Sequence, residues 1–92
     1  MIHTYVNRVL EHSVTTGAAR LLMLVIAARA DENGICQLSH RELSRLTKMD
    51  VRSLRRLLFA EDSPIPADEL EVFPGGNFPG QHRQTTKYKI TL

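Results

Sequence analysis

The chain has 92 residues, of which 42% are hydrophobic and none is Trp, so it is long enough for one small domain with an aliphatic core and too short for two. A single cysteine, Cys36, excludes an internal disulfide framework and predicts a reducing, cytoplasmic location. The longest apolar run, residues 21–28, is too short to span a bilayer, and no N-terminal stretch resembles a signal peptide, so we expect no membrane association.

The net charge of +2 conceals an uneven distribution of charge along the chain. Residues 40–60 hold six bases and two acids, residues 61–73 hold five acids and no base, and residues 74–92 hold three bases and no acid. Such polarity within one small domain predicts a polyanionic partner that meets two separate elements. The alternative is that the charges simply occupy whichever faces are solvated.

The first two predicted helices lie in the N-terminal third of the chain. Apolar residues at helical spacing predict a helix over residues 2–12. A stretch that is apolar on most of its circumference predicts a central buried helix over residues 16–30, capped by Thr15 or Thr16. The segment DENG, residues 31–34, ends this helix because Asn and Gly accept the left-handed conformation.

Two further helices follow, separated by a short turn. Ser39 and Glu42 form a capping-box pattern, in which Ser39 accepts from the third amide and Glu42 reaches back, so a helix is predicted over 40–47. Asp50 caps a helix over 51–60 in the same way. A three-residue connection between two helices forces them to cross steeply.

Short strands are predicted around and after these helices. Residues 35–38 form a short extended piece, residues 70–73 alternate as a strand, and residues 85–92 alternate again after a Gly/Pro-rich loop over 74–83. The two C-terminal strands make an antiparallel hairpin. The order therefore predicts an α+β domain with three core helices, an extra N-terminal helix and a C-terminal β-hairpin.

The helix over 51–60 is amphipathic, with an apolar stripe and a basic face. The predicted core positions of this region are Leu43, Leu46, Met49, Val51, Leu54, Leu57 and Leu58. The remaining positions of the helix then point outward, and these are Arg52, Ser53, Arg55 and Arg56. Residues 51–60 contain no acid that could pair with the arginines, which favours an anionic partner over a solvated surface.

The stretch SHRELSRLTKMDVRSLRRLL (39–58) resembles the helix-turn-helix of winged-helix DNA-binding domains. The longer stretch GAARLLMLVIAARADENGICQLSHRELSRLT (17–47) is similar to those of phage and plasmid replication proteins and small prokaryotic transcriptional regulators. The resemblance covers roughly residues 16–92. It implies one domain over 1–92, with an N-terminal helix (1–13), a helical core (16–60) that contains the helix-turn-helix (40–60), and a β-hairpin wing (70–92). Ser44 stands where Ala is usual, and Lys48 where Gly is usual.

This resemblance implies a protein that binds double-stranded DNA and acts in transcription regulation or in replication or partition. The helix over 51–60 would read the major groove, and the wing would meet the flanking backbone or minor groove. The candidate contact residues are His40, Arg41, Arg45, Lys48, Arg52, Ser53, Arg55, Arg56, His82, Arg83, Gln84 and Lys87. If about six phosphates are contacted, a plot of the logarithm of the binding constant against the logarithm of the salt concentration should have a slope of about −5.

Other functions are weighed against DNA binding. A winged-helix module could instead place its basic face on an acidic partner protein. The N-terminal helix could pack against a second copy, giving a homodimer, or against the helix over 16–30. We expect no enzyme, because no nucleophile with a base and no carboxylate pair in an apolar setting can be assembled. We expect no cofactor and no small-molecule ligand. We expect no metal, because Cys36 and His40 lack two further ligands.

Overall fold

The computed structural model describes residues 4–73 and 86–92, which form four helices and a small three-stranded antiparallel sheet. The elements in chain order are α1 (Thr4–His12), α2 (Gly17–Ala28), β1 (Ile35–Gln37), α3 (His40–Thr47), α4 (Val51–Phe59), β2 (Leu70–Phe73) and β3 (Lys87–Ile90). This confirms the predicted α+β class and the order of elements. Within these two ranges, no helix has the length and apolar character that crossing a bilayer requires.

The predicted central helix, α2, is confirmed as the middle of the core. Its buried side chains are Ala19, Leu22, Met23, Ile26 and Ala27. The first helix, α1, packs against α2 and buries Val9 completely, with Tyr5 and Val6 partly buried beside it. The apolar side of α1 was predicted to pack either against a second copy or against the helix over 16–30. In the structure it packs against that helix, α2.

The start of α2 differs from the prediction. Thr16 is the N-cap residue, but its hydroxyl makes no capping hydrogen bond. The Thr15 hydroxyl is buried and lies 2.6 Å from the hydroxyl of Ser13. The prediction of a side-chain cap by Thr15 or Thr16 is therefore wrong. The Arg20 guanidinium binds this junction instead, because it donates to the carbonyls of Thr15 (3.3 Å) and Leu10 (3.1 Å).

The turn after α2 is built around Asp31 and Gly34. The Asp31 Oδ1 atom accepts from the amides of Asn33 (2.8 Å) and Ile35 (3.0 Å). Gly34 has a φ of 80°, whereas Asn33 does not have a positive φ, so the predicted left-handed conformation is confirmed at Gly34 alone. The Gly34 carbonyl accepts from the Ile90 amide at 2.9 Å, so this turn also anchors the end of β3.

The sheet has the strand order β1–β3–β2, and both pairings are antiparallel. Leu70 lies opposite Ile90 and Phe73 opposite Lys87, which confirms the pairing of the two C-terminal strands. β3 is shorter than the predicted 85–92, and the predicted loop over 74–83 lies outside the described residues. The central position of β3, between β1 and β2, is a feature that alternation alone did not predict.

Side chains of α3, α4 and β3 complete the core around α2. Leu43, Leu54 and Tyr88 are fully buried, as is Cys36 on β1. Val51, predicted to be in the core, is 39% exposed. Val51 is more exposed than Leu54 because it is the first residue of α4, about one helical turn before the buried part of the helix.

Glu69 is a buried acid that connects distant parts of the chain. Its side chain is 3% exposed, and its carboxylate accepts from the Val14 amide (2.9 Å) and from the Ser13 hydroxyl. Its own backbone carbonyl accepts from the Thr91 amide at 3.0 Å. The segment between α4 and β2 is thereby attached both to the α1–α2 linker and to the end of the chain.

Candidate nucleic-acid interface

Ser39 begins α3 as the sequence predicts. Its extended backbone precedes the helix, and its hydroxyl accepts from the Glu42 amide at 3.1 Å. The second half of the predicted capping box is wrong, because the Glu42 carboxylate binds Arg45 at 2.9 Å. The hydrogen bond and charge of Arg45 lower the pKa of Glu42. Arg45 is therefore engaged by a neighbouring acid, although its side chain is exposed.

The turn between α3 and α4 is held by two hydroxyl groups. The Thr47 hydroxyl donates to the Leu43 carbonyl at 2.7 Å and accepts from the Met49 amide at 3.3 Å. The Ser44 hydroxyl donates to the Met49 carbonyl at 2.6 Å. Lys48 adopts the left-handed conformation, with a φ of 62°, and its amide donates to the Ser44 carbonyl at 2.9 Å. Ser44 thus stabilises a turn that lacks the usual glycine.

Asp50 begins α4, which confirms the second predicted cap. Its carboxylate accepts from the Ser53 amide at 3.3 Å. Hydrogen bonds from the Ser53 side chain and then from its backbone lower the pKa of Asp50. The Ser53 hydroxyl, predicted to contact DNA, is on an exposed residue beside this cap.

Three arginines of α4 project into solvent. Arg52, Arg55 and Arg56 are exposed, and within residues 4–73 and 86–92 none of them forms an ion pair with a carboxylate. The opposite side of the helix carries the buried Leu54 and the half-buried Leu57. An α-helix with its side chains is about 10–12 Å in diameter, which suits the width of a DNA major groove.

The remaining candidates on α3 and the turn have different surroundings. Arg41 and Lys48 are exposed and, in the part of the chain that the structure describes, form no ion pair. The His40 ring is half-buried and meets the Phe59 ring edge-on, with 5.8 Å between ring centroids. His40 therefore packs the beginning of α3 against the end of α4.

Lys87 lies apart from these residues, on the solvent face of the sheet. In the strand register it is flanked by Gln37 on β1 and Phe73 on β2. Lys89 is exposed on the same face, and sequence alternation could have added it to the candidates because it follows Lys87 by two positions. The structure brings the candidate residues of α3 and α4 together, because these two helices pack against each other. Lys87 is on a different element, β3, which packs against α2. The candidates His82, Arg83 and Gln84 lie outside the described residues.

Cys36 has the properties of a core residue. It is fully buried, and burial raises the pKa of its thiol to about 11, so the thiol is protonated at neutral pH. In the two described ranges, no group of three or more His, Cys, Asp or Glu side chains is arranged to hold a metal ion.

No protein-family model matches this chain, and no curated protein or solved structure matches it either. The candidate interface is therefore defined by its own geometry. It consists of two packed helices, a turn held by hydroxyl groups, and a row of exposed guanidinium groups on one side of α4.

Proposed function

We propose that this chain is a winged helix-turn-helix protein that binds double-stranded DNA, with α4 in the major groove. The observation that supports it best is the row of three exposed arginines on α4 without carboxylate partners among the described residues, on a helix whose other side is fixed in the core. Concentrated positive charge that the protein itself does not neutralise is the electrostatic signature of a phosphate-binding surface.

The spacing of the arginines suits both phosphate contact and base reading. Arg52 and Arg56 are one helical turn apart, and Arg55 is a neighbour of Arg52 on the same face. A guanidinium group binds the O6 and N7 atoms of guanine, or two phosphate oxygens, in a bidentate manner. In this arrangement Arg52 lies nearest the N-terminal end of the helix, where recognition helices contact base edges.

The surrounding elements would position α4 on the duplex. Arg41 and Lys48 would contact the flanking phosphates, and the amides at the beginning of α3 would support a phosphate there. The β2–β3 pair would serve as the wing, with Lys87 on the backbone or minor groove. The other predicted wing contacts, at positions 82–84, lie outside the described residues. The role of such a module would be transcription regulation, or DNA binding in replication or partition.

The experiment that tests this proposal has two arms. Selection of bound duplexes from a random pool, followed by sequencing, should enrich a motif, and a palindrome would indicate a dimer on the site. In the second arm, the double variant R52A/R56A should lose duplex binding while its circular dichroism and urea unfolding remain those of the unsubstituted chain. R29A, which removes an exposed arginine at the end of α2, is the matched control.

A second double variant separates base reading from charge. R52K/R56K keeps both charges but loses the bidentate fork, so it should retain non-specific affinity and lose preference for the selected motif by about tenfold or more. If R52A/R56A binds duplexes as the unsubstituted chain does, the DNA-binding proposal fails. Loss of a protein partner with unchanged DNA binding would instead favour the interaction-module function.

A further inference from the structure

An apolar groove of about 540 Å³ lies between α4, the segment 60–69 and β2. Its apolar walls include Leu57, Leu58, Ile65, Pro66, Leu70 and Val72. Leu57, Leu58, Ile65 and Val72 pack against the core on one side and are only partly buried, so the groove exposes their other side to solvent. Leu57 and Leu58 line the groove from the apolar side of α4, opposite the arginines, and Phe59 lines it at the C-terminal end of the helix, one turn after Arg55 and Arg56.

The outer wall of the groove is held by hydrogen bonds. The Ser63 hydroxyl donates to the Leu57 carbonyl and accepts from the Ile65 amide at 3.2 Å. The Ser63 amide donates to the Ala60 carbonyl at 3.1 Å. Glu69 attaches the far end of the segment to the α1–α2 linker. A groove with fixed walls binds a ligand without first having to order those walls, which lowers the entropic cost of binding.

The rim of the groove is acidic. Residues 61–73 contain five acids and no base, and Glu69 is the one whose side chain is buried. Glu61 lines the groove, and Asp62 and Asp68 are exposed immediately beside lining residues. Glu71 is exposed on the other face of β2, opposite Lys89. This surface repels the phosphate backbone of DNA and attracts cations.

We propose that this groove binds a segment of a partner protein that combines apolar side chains with Lys or Arg. The apolar side chains would cover the half-buried leucine, isoleucine and valine surfaces, and the cationic groups would meet the carboxylates of Glu61, Asp62 and Asp68. This site does not depend on the proposed DNA-binding function.

The test uses random dodecapeptides displayed on phage and selected on the immobilised full chain. Enriched peptides should contain at least two apolar residues together with at least two Lys or Arg. A synthetic, fluorescently labelled form of the most enriched peptide is then titrated with three variants. A67W places a bulky ring on the exposed wall of the groove, E61Q/D62N/D68N neutralises the rim without changing its size, and A18W is the matched control on the exposed side of α2.

A67W and E61Q/D62N/D68N should each weaken peptide binding by about tenfold or more, and A18W should bind as the unsubstituted chain does. Urea unfolding establishes that the variants are folded. The proposal is overturned if selection enriches no peptide, if the enriched peptides lack Lys and Arg, or if A67W binds them normally. It is also overturned if sedimentation shows a dimer that A67W dissociates, because a second copy would then occupy the groove.

Discussion

Gly34 occupies a position where both backbone conformation and available space exclude a side chain. Its φ is +80°, and a Cβ atom there would lie 3.0 Å from the Tyr5 ring and 3.2 Å from the Ile90 carbonyl oxygen. Gly17 also has a positive φ, +57°, but a Cβ atom there would meet nothing within 4 Å. Substitution of the two glycines therefore separates the free-energy cost of a left-handed side-chain-bearing residue from the cost of a steric contact.

We expect G34A to lower the free energy of unfolding by about 3 kcal/mol and G17A by about 1 kcal/mol. Both variants carry the strain of a left-handed alanine, and only G34A must also displace Tyr5. Urea unfolding of the two variants measures the difference. Equal losses would show that the contact of α1 with this turn can adjust without cost.

Lys48 is the non-glycine residue with a positive φ among residues 4–73 and 86–92, and it carries one of the proposed phosphate contacts. K48G and K48A both remove the charge, but only K48A keeps a Cβ atom in the left-handed conformation. We expect K48G to be more stable than K48A by about 1 kcal/mol in urea unfolding. Both variants should lose the same DNA affinity, and each should reduce the steepness of the salt dependence by about one unit.

These two readouts test different roles of the same residue. If K48G alone weakened DNA binding, the shape of the turn rather than the Lys48 charge would be the requirement. If neither variant weakened it, Lys48 would not contact phosphate.

At the scale of the element, the beginning of α4 is capped by Asp50, whose carboxyl group titrates with pH. Hydrogen bonds from Ser53 hold the pKa of Asp50 below its ordinary value of 3.8. Above that value the cap contributes its full stabilisation, and this is lost as the pH falls through the lowered pKa of the folded state. D50N keeps an oxygen acceptor but does not titrate.

The difference in unfolding free energy between the unsubstituted chain and D50N should therefore decrease as the pH falls from about 5 to about 2. Urea unfolding of both proteins at a series of pH values measures it. The other acids titrate equally in both proteins and cancel in the difference. A difference that is constant with pH would show that the charge of Asp50 does not contribute to the cap.

The beginning of a helix was predictable from the sequence where it depends on residues close by in the chain. Ser39 and Asp50 act on amides three positions ahead, so their roles follow from local spacing. The start of α2 was not predictable in this way, because Ser13, next to the buried Thr15 hydroxyl, binds Glu69 from the far end of the chain. Glu42 likewise had two possible partners, and the nearby Arg45 is the one that it binds.

The same distinction applies to the two surfaces. The basic face of α4 is a property of one helix, so the positions of Arg52, Arg55 and Arg56 followed from periodicity alone. The groove could not be predicted, because it depends on the placement of the segment 60–69, which Glu69 attaches to the distant α1–α2 linker. The central position of β3 in the sheet was not predicted for a similar reason, since β1 is separated from it by two helices.

At the scale of the whole molecule, α1 belongs to the body of the fold. The Arg8 guanidinium donates to the Leu92 carbonyl at 3.1 Å and lies 5.0 Å above the Tyr5 ring, and Val9 is fully buried. Homodimerisation through this helix stays a prediction, and it would have to use the side that α2 does not cover. The exposed apolar residues nearby are Leu10 (49%) on α1 and Val14 (73%) in the linker that follows it.

The salt dependence of duplex binding reports on the whole charged surface and on the number of copies bound. Arg8, Arg20 and Arg45 already bind atoms of the protein itself, so they are not counted among the phosphate contacts. Among the predicted contact residues that the structure describes, the bases that remain are Arg41, Lys48, Arg52, Arg55, Arg56 and Lys87. Six contacts give a log–log slope of about −5 for one copy, and two copies on a palindromic site give about −10.

Fluorescence anisotropy of a labelled duplex between about 50 and about 200 mM NaCl measures this slope. R29A should leave it unchanged, because Arg29 ends α2 and is not among the proposed contacts. R52A/R56A should make it shallower by about two units for each bound copy. A slope near zero would contradict a phosphate-binding surface altogether. A slope of about −10 that falls to about −6 in R52A/R56A would support two copies on one site.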